Sequence, residues 1–491
     1  MNPQSLFMPH SELTASRLVA ARAWPVLGMT LVIAGFIGCD SKPSGSKFVP
    51  NSRTEQLVPE ARKYVDDTLT ENFGTPQDLV AWLRFPIEYG EQQGKIAEVE
   101  STEQGAYKFI VEWDGKKAEE IDLRRGVGVI MTSGQYAGQS VKLNHYNPAT
   151  GRMHVDAFMN PPPAAGDEFQ VVGSNLQLGR MAYMEHCVHC HGTSGDGNGP
   201  TAKYLNPPPR DYRLGKFKFT TTKQPEKISN EDLKRTVKHG IPGTYMPSFM
   251  LLDDDEMTAV VEYVRWLAIR GEMEKRMDDE LSGDYSREVV SDRVKDGETR
   301  DEILAELKTA LEEDFPETID GIATDLADEW SRANDEEAQI IPSVPRVPDS
   351  LESRLRGKEL YLSGKTKCVT CHGPTGRGNG SATEDFWPIP GSQPQANWPV
   401  RGLHDDWGNP IKPRDLTRGI YRGGRRPIDL FCRIYAGIKG TQMPAFGVTA
   451  LKDDQIWDLV NYVLSMPYET DRTIAEPLDI PPLEQTTAAT K

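Results

Sequence analysis

Two short stretches carry the chemistry. Cys187-Val188-His189-Cys190-His191 and Cys368-Val369-Thr370-Cys371-His372 each set two thiols three residues apart, with a histidine directly after the second. Thiols at that spacing both reach the vinyl groups of one haem and form thioethers, and the adjacent imidazole is then held under the iron as proximal ligand. A zinc site would want a fourth thiolate or imidazole nearby, and a redox-active dithiol wants a βαβ setting. Neither is evident. With 6 Cys and 9 His in 491 residues, random placement gives about 0.001 such motifs per chain. Cys187, Cys190, Cys368 and Cys371 therefore read as covalent attachment points for two haem c groups, with His191 and His372 as axial ligands.

The sixth iron ligand decides between carrier and catalyst, because a filled position favours electron transfer and an open one favours reaction. Met443, in Gly440-Thr441-Gln442-Met443-Pro444, is the only methionine between His372 and Met466. Met246 holds the same place in Gly243-Thr244-Tyr245-Met246-Pro247, with Met250 and His239 as weaker competitors. Thioether sulfur favours ferrous iron and raises the potential relative to two imidazoles. The rival reading, a methionine that merely fills a core, is weakened by the shared Gly-Thr-x-Met-Pro frame.

The elements that must position these residues form a duplication. The second CxxCH motif lies 181 residues after the first, and Gly195, Gly197, Asn198 and Gly199 recur at that offset as Gly376, Gly378, Asn379 and Gly380. Pro209-Arg210-Asp211 recurs as Pro413-Arg414-Asp415 at an offset of 204, and the methionine frames recur at 197. Each copy closes on an amphipathic helix, Asp253–Leu267 and Asp453–Met466, carrying Tyr263 and Tyr462. Two repeats of about a hundred residues are a duplicated domain and not a solenoid. The glycines after each motif are a weak phosphate-loop signal; they more readily let the backbone wrap a porphyrin. A proline carbonyl, from Pro207–Pro209 or from Pro413, is expected to accept the axial histidine's free N–H. Arg414, Arg418, Arg422, Arg425 and Arg426 are candidates for neutralising haem propionates or steering a partner, with a solvated loop as the competing reading. Cys432 reads as a buried apolar residue.

Each repeat resembles a class I cytochrome c domain: a helix with Gly and Tyr (Gly357 and Tyr361 in the second copy), CxxCH, a loop with the distal Met, and a closing helix with Tyr. The resemblance implies about three α-helices around each haem. The tandem arrangement is similar to dihaem subunits and carriers of bacterial respiratory chains. The Trp-rich insertion Phe386–Trp407 departs from the minimal domain, and Tyr183 stands only four residues ahead of Cys187.

The remaining segments surround this pair. Arg17 and Arg22 precede an apolar run from Trp24 to Gly38, about 22 Å as helix and too short for a bilayer core of about 30 Å. Residues 1–38 read as a secretory signal, and Cys39 directly after Gly38 resembles the lipidated cysteine of bacterial lipoproteins. An uncleaved single-span anchor is the alternative. Residues 39–60 are expected as a tether and 61–175 as a small α+β domain. That domain opens on a helix, Ala61–Asn72, and continues in alternating segments at Lys108–Trp113, Gly126–Met131 and Gln139–Asn144. His145 and His154 within it read as ordinary histidines.

The cytochrome-like domains span 176–270 and 346–470. Residues 271–345 between them read as an acidic helical spacer, and 471–491 as a disordered tail. The formal net charge is −17, and 24 acidic against 8 basic residues fall within 271–340, so the rest is close to neutral. Without a basic stripe, a nucleic-acid role has no support. The fold class expected is mainly α, with two cytochrome c domains, the spacer and a small N-terminal β-containing domain. The function expected is single-electron carriage between redox proteins or respiratory-complex subunits, on the periplasmic side of a membrane through a lipid anchor. A dihaem peroxidase-like enzyme is the alternative.

Overall fold

The computed structural model describes residues 47–469, apart from 103–104, 122, 391, 393 and 448–449. The expected export signal, Cys39 and the tail 471–491 lie outside the described residues. Among the described residues, no helix is long and apolar enough to cross a membrane.

The stretch expected as a tether is packed from Phe48 onward, which corrects that expectation. Phe48, Leu57 and Val58 are buried, and Phe48 lies against Trp266 with ring centroids 5.8 Å apart. The Val49 N–H donates to Ser194 Oγ at 2.7 Å. The Thr54 hydroxyl donates toward the Glu274 and Asp278 carboxylates. Apolar burial of these side chains outweighs the entropy that a free tether would keep.

Helix α1 (Pro59–Phe73) buries Ala61, Val65, Leu69 and Phe73, one stripe at four-residue spacing. After a two-residue ladder of Gly74–Thr75 with Asp78–Leu79, six longer strands follow: β1 (Gln92–Thr102), β2 (Gly105–Trp113), β3 (Gly128–Met131), β4 (Ser140–Asn147), β5 (Arg152–Met159) and β6 (Glu168–Val172). The alternating segments do form an antiparallel unit, and it closes on itself in the order β1-β2-β5-β4-β3-β6. Gly94 pairs with both Trp113 and Phe169, so β1 joins the two ends of the barrel. Closure leaves no strand edge unpaired. Inward residues such as Phe109, Val129, Met153 and Phe169 fill the interior.

The first haem domain contains α2 (Ser174–His186), α3 (Val188–His191), α4 (Asn230–His239) and α5 (Asp254–Tyr285). A capping box between Asp253 and Glu256 starts α5. This helix runs unbroken through residue 271, where the sequence reading placed a boundary. After it come α6 (Arg287–Lys295), α7 (Arg300–Glu313) and α8 (Phe315–Arg332). Ile303, Leu307, Leu326 and Trp330 are buried in the same cluster as α1, α2 and α5. The segment expected as a spacer is thus a helical layer packed on the first haem domain, with most of its carboxylates exposed but Glu272, Glu274 and Asp278 buried against that domain.

The second haem domain contains α9 (Leu351–Leu362), α10 (Cys368–His372), α11 (Pro427–Ala436) and α12 (Asp453–Ser465), around a core of its own. In both domains the first helix crosses the closing helix at a glycine. A Cβ on Gly179 would strike the Ala259 carbonyl, and one on Gly357 the Asp458 carbonyl.

Candidate functional site

Each CxxCH motif forms a short helix whose end is tied down twice. The Tyr183 hydroxyl donates to the Gly192 carbonyl at 2.8 Å, and the Tyr361 hydroxyl donates to the Gly373 carbonyl at 2.7 Å. The glycine loop then folds back, with the Gly197 N–H donating to the His191 carbonyl (2.9 Å) and the Gly378 N–H to the His372 carbonyl (2.8 Å). Gly378 has φ +72°, and a Cβ there would collide with the Pro413 carbonyl. These glycines bring the loop against the histidine helix, as a wrap around a flat ligand requires.

The histidines are buried and oriented. His191 Nδ1 lies 3.1 Å from the Arg210 carbonyl oxygen, and His372 Nδ1 lies 3.2 Å from that of Arg414. The expected carbonyl contact exists, but it comes from the arginine after each proline. Gly197 and Gly378 sit against Pro209 and Pro413, so the proline braces the glycine loop and the next carbonyl is the one free to turn toward the ring. With Nδ1–H donating there, Nε2 is left to bind metal. Burial pushes the His191 imidazole down to about 4 and lowers His372 as well, so both are neutral at pH 7.

Among the described residues, none of the four motif cysteines is paired in a disulfide. Burial pushes the Cys187 thiol up to about 12, and Cys368 is also raised, with burial the largest cause. A redox-active CxxC pair has a lowered thiol pKa, so the environment is the reverse of one tuned for disulfide exchange. Among the described residues, no group of three or more His, Cys, Asp or Glu is arranged to hold a metal ion. The zinc reading has no fourth ligand.

The methionine frames superimpose bond for bond. Ile241 and Ile438 donate their N–H groups to the carbonyls of Met246 (3.2 Å) and Met443 (3.1 Å). The Met246 and Met443 N–H groups each donate to a threonine hydroxyl, Thr244 and Thr441, at 3.2 Å. Met443 lines one crevice with Cys368, Cys371 and His372. Met246, like Cys187, Val188 and Phe249, is partly buried against the first domain's core. Its competitors face away: Met250 and His239 are exposed. The second crevice is walled by apolar side chains including Leu430, Ile434, Phe446 and Leu459. An apolar, open-mouthed slot with two thiols, a neutral imidazole and a thioether fits a covalently held haem.

The arginines divide. Arg426 pairs with Asp429 at 2.8 Å, and Arg425 donates to the Tyr468 hydroxyl at 2.9 Å. Arg414 and Arg422 line the crevice. Sequence reasoning missed Arg433, which lines it too, and Lys218 and Phe219, which reach it from the first haem domain. Only Arg433's place on the buried face of α11 could have flagged it; no local signal marks Lys218. Cys432 is buried, as expected of an apolar residue. His145 and His154 meet across β4 and β5, rings 5.7 Å apart.

Contacts between the domains cross over. The Arg210 guanidinium stacks on the Trp407 ring at 3.8 Å, and Trp407 presses on Gly440 at the head of the second methionine frame. Reciprocally, the Arg414 guanidinium lies against Gly243 at the head of the first frame. Of the two arginines whose carbonyls orient the histidines, Arg414 therefore touches the other domain's methionine loop directly and Arg210 reaches it through Trp407. Lys218 pairs with Asp405 at 3.0 Å and Lys216 with Asp406. The Trp-rich insertion supplies Trp407, Asp405 and Asp406 to this seam.

Residues 176–268 and 355–467 match the family described as Cytochrome c. No curated protein sequence matches the chain. Among solved structures, a chain of the reducing HAO-like protein complex of Kuenenia stuttgartiensis is 25% identical, with 59% of this chain and 96% of that chain covered and a TM-score of 0.40.

Proposed function

We propose that this chain, with cytochrome c domains at residues 176–268 and 355–467, is a dihaem electron carrier or the carrier subunit of a redox complex. It would take single electrons from one protein partner and pass them to another, without making or breaking substrate bonds. A bound haem supplies a one-electron ferric–ferrous couple. The chain's residues set the conditions for it. His191 and His372 offer neutral Nε2 atoms from rings held by the Arg210 and Arg414 carbonyls. Met246 and Met443 offer soft sulfur from rigid frames, filling the position that a small molecule would need.

The observation that carries this reading is Met443 in the same crevice as His372, together with the identical hydrogen-bonded frame around Met246. The basic flank, the apolar run and Cys39 support export and lipid attachment, with the body on the outer face of a membrane. The expected result for the oxidised holoprotein is a methionine–iron band in the near infrared and low-spin magnetic spectra at both irons. Met443→Ala is expected to let one iron bind carbon monoxide and to lower its potential. A high-spin iron in the resting protein, with peroxide turnover, would establish the peroxidase-like alternative.

A further inference from the structure

The seam between the haem domains gathers cations with too few anions to match. Lys218, from the first domain, lines the second crevice with Arg414, Arg422 and Arg433. Among the described residues, the wall of that crevice contains no carboxylate. Arg422 Nε is buried without a hydrogen-bond partner. Arg433 donates to the Gly424 carbonyl at 2.9 Å, while Asp429, the carboxylate whose charge acts on it most, is paired with Arg426. Burial lowers the pKa values of Lys218, Arg422 and Arg433, and nearby Arg210 and Arg422 push Lys218 further in that direction. Asp405, bound to Lys218, is the counter-charge at this point of the seam.

Partly buried like charges cost stability unless an anion is brought among them. Three of these groups, Arg414, Arg422 and Arg433, are guanidinium forks, suited to carboxylate oxygens. The crevice they border already holds the thiols, imidazole and thioether of the second site. A haem attached there carries two propionate carboxylates and is the anion that the site itself brings.

We infer that Lys218 of the first domain, together with Arg422 and Arg433 of the second, binds the propionates of the haem held by Cys368 and Cys371, so that the second site is completed only across the domain boundary. This rests on haem c being attached at that motif. It goes beyond the attachment and axial residues by giving the first domain a direct part in the second centre. A cation close to iron favours the ferrous state, so these side chains hold the second centre's potential up.

The test is a spectroelectrochemical titration of the full-length holoprotein, with attachment at Cys368 and Cys371 verified by peptide mass. The second haem is assigned as the centre that loses its methionine signature in Met443→His. Lys218→Gln and Arg422→Gln are each expected to lower its midpoint potential by more than they lower the first. Lys218→Arg is expected to restore it. Lys203→Gln, the same charge change at an exposed site on the first domain, should leave it in place. Two attached haems whose second potential moves no more in Lys218→Gln and Arg422→Gln than in Lys203→Gln would overturn the inference and leave the haem reading standing. Absence of haem at Cys368 and Cys371 would overturn both.

Discussion

The first haem domain closes on a helix of 32 residues that continues into three more packed helices, whereas the second closes on one of 13 and keeps its own smaller core. Around the proximal histidine the contrast sharpens. Tyr212 stacks on His191 with ring centroids 4.8 Å apart, Phe217 stacks on Tyr212, and Trp330 meets Phe217 edge-on. In the second domain the residue after Pro-Arg-Asp is Leu416, and among the described residues no aromatic ring stacks on His372. The approach to the cysteines differs too. Helix α2 runs to His186, directly before Cys187, but α9 stops at Leu362 and the chain reaches Cys368 through Lys367 at φ +51°. Tyrosine-to-carbonyl ties, histidine-to-carbonyl contacts and methionine frames are shared. The arrangement around the candidate ligands and the glycine crossing of the helices is shared, whereas the approach to the cysteines, the length of the closing helix and the packing behind the histidine differ, and those are where the two potentials can be set apart.

Trp330→Ala is the strongest way to break this contrast. Trp330 is fully buried, and its indole N–H donates to Glu272 at 2.8 Å. Removing a buried indole costs about 3–5 kcal/mol, and here it also takes a donor from a buried carboxylate. Urea unfolding followed at the first haem should shift by that amount, with the second haem's transition unmoved. A loosely attached acidic spacer would predict a change of under about 0.5 kcal/mol, as for a surface position.

A second contrast is in pH response. Burial pushes Asp278 on α5 up to about 7 from its ordinary 3.8, beside Thr54 and Glu274. A raised carboxyl favours the protonated form in the folded state, so the folded protein binds more protons than the unfolded chain between those values. Stability of the first domain should therefore be greatest below about pH 4 as far as this group is concerned, and fall as pH rises to about 7. Asp278→Asn should remove that component of the slope from thermal melts between pH 4 and 7. An unchanged slope would show that Asp278 is ionised in the folded protein.

The candidate ligands were legible in the sequence because iron chemistry fixes residue types at short spacing, and the offsets between copies singled out Met246 and Met443, the second of which the structure places in one crevice with His372. The backbone acceptor of each histidine was misplaced by one residue, since which carbonyl turns toward the ring depends on how Gly197 and Gly378 pack on the prolines. The acidic layer was misread because its charges outnumber its apolar stripe. Ile303 and Leu307 were visible at helical spacing, but what they bury against, α5, was set by contacts far along the chain. The closed barrel was legible only as alternating strands, because pairing of β1 with β6 joins residues more than seventy apart. Lys218 reaching the second crevice is a domain-packing fact with no local signature.

The smallest effect expected is also the most specific. Tyr212→Leu gives the first domain the residue that the second already has at Leu416. An offset aromatic stack adds about 0.5–1.5 kcal/mol beyond its buried area, and losing the ring also ends the column from Trp330 through Phe217 to His191. The Tyr212 N–H donates to the Gly195 carbonyl at 2.7 Å, as that of Leu416 does to Gly376, so the backbone wrap survives the exchange. The substitution should lower stability modestly and shift the first haem's potential toward the second's, with both methionine bands retained. If the potential stays put while stability falls, the column is packing alone, and the difference between the two centres must come from the charges at the seam.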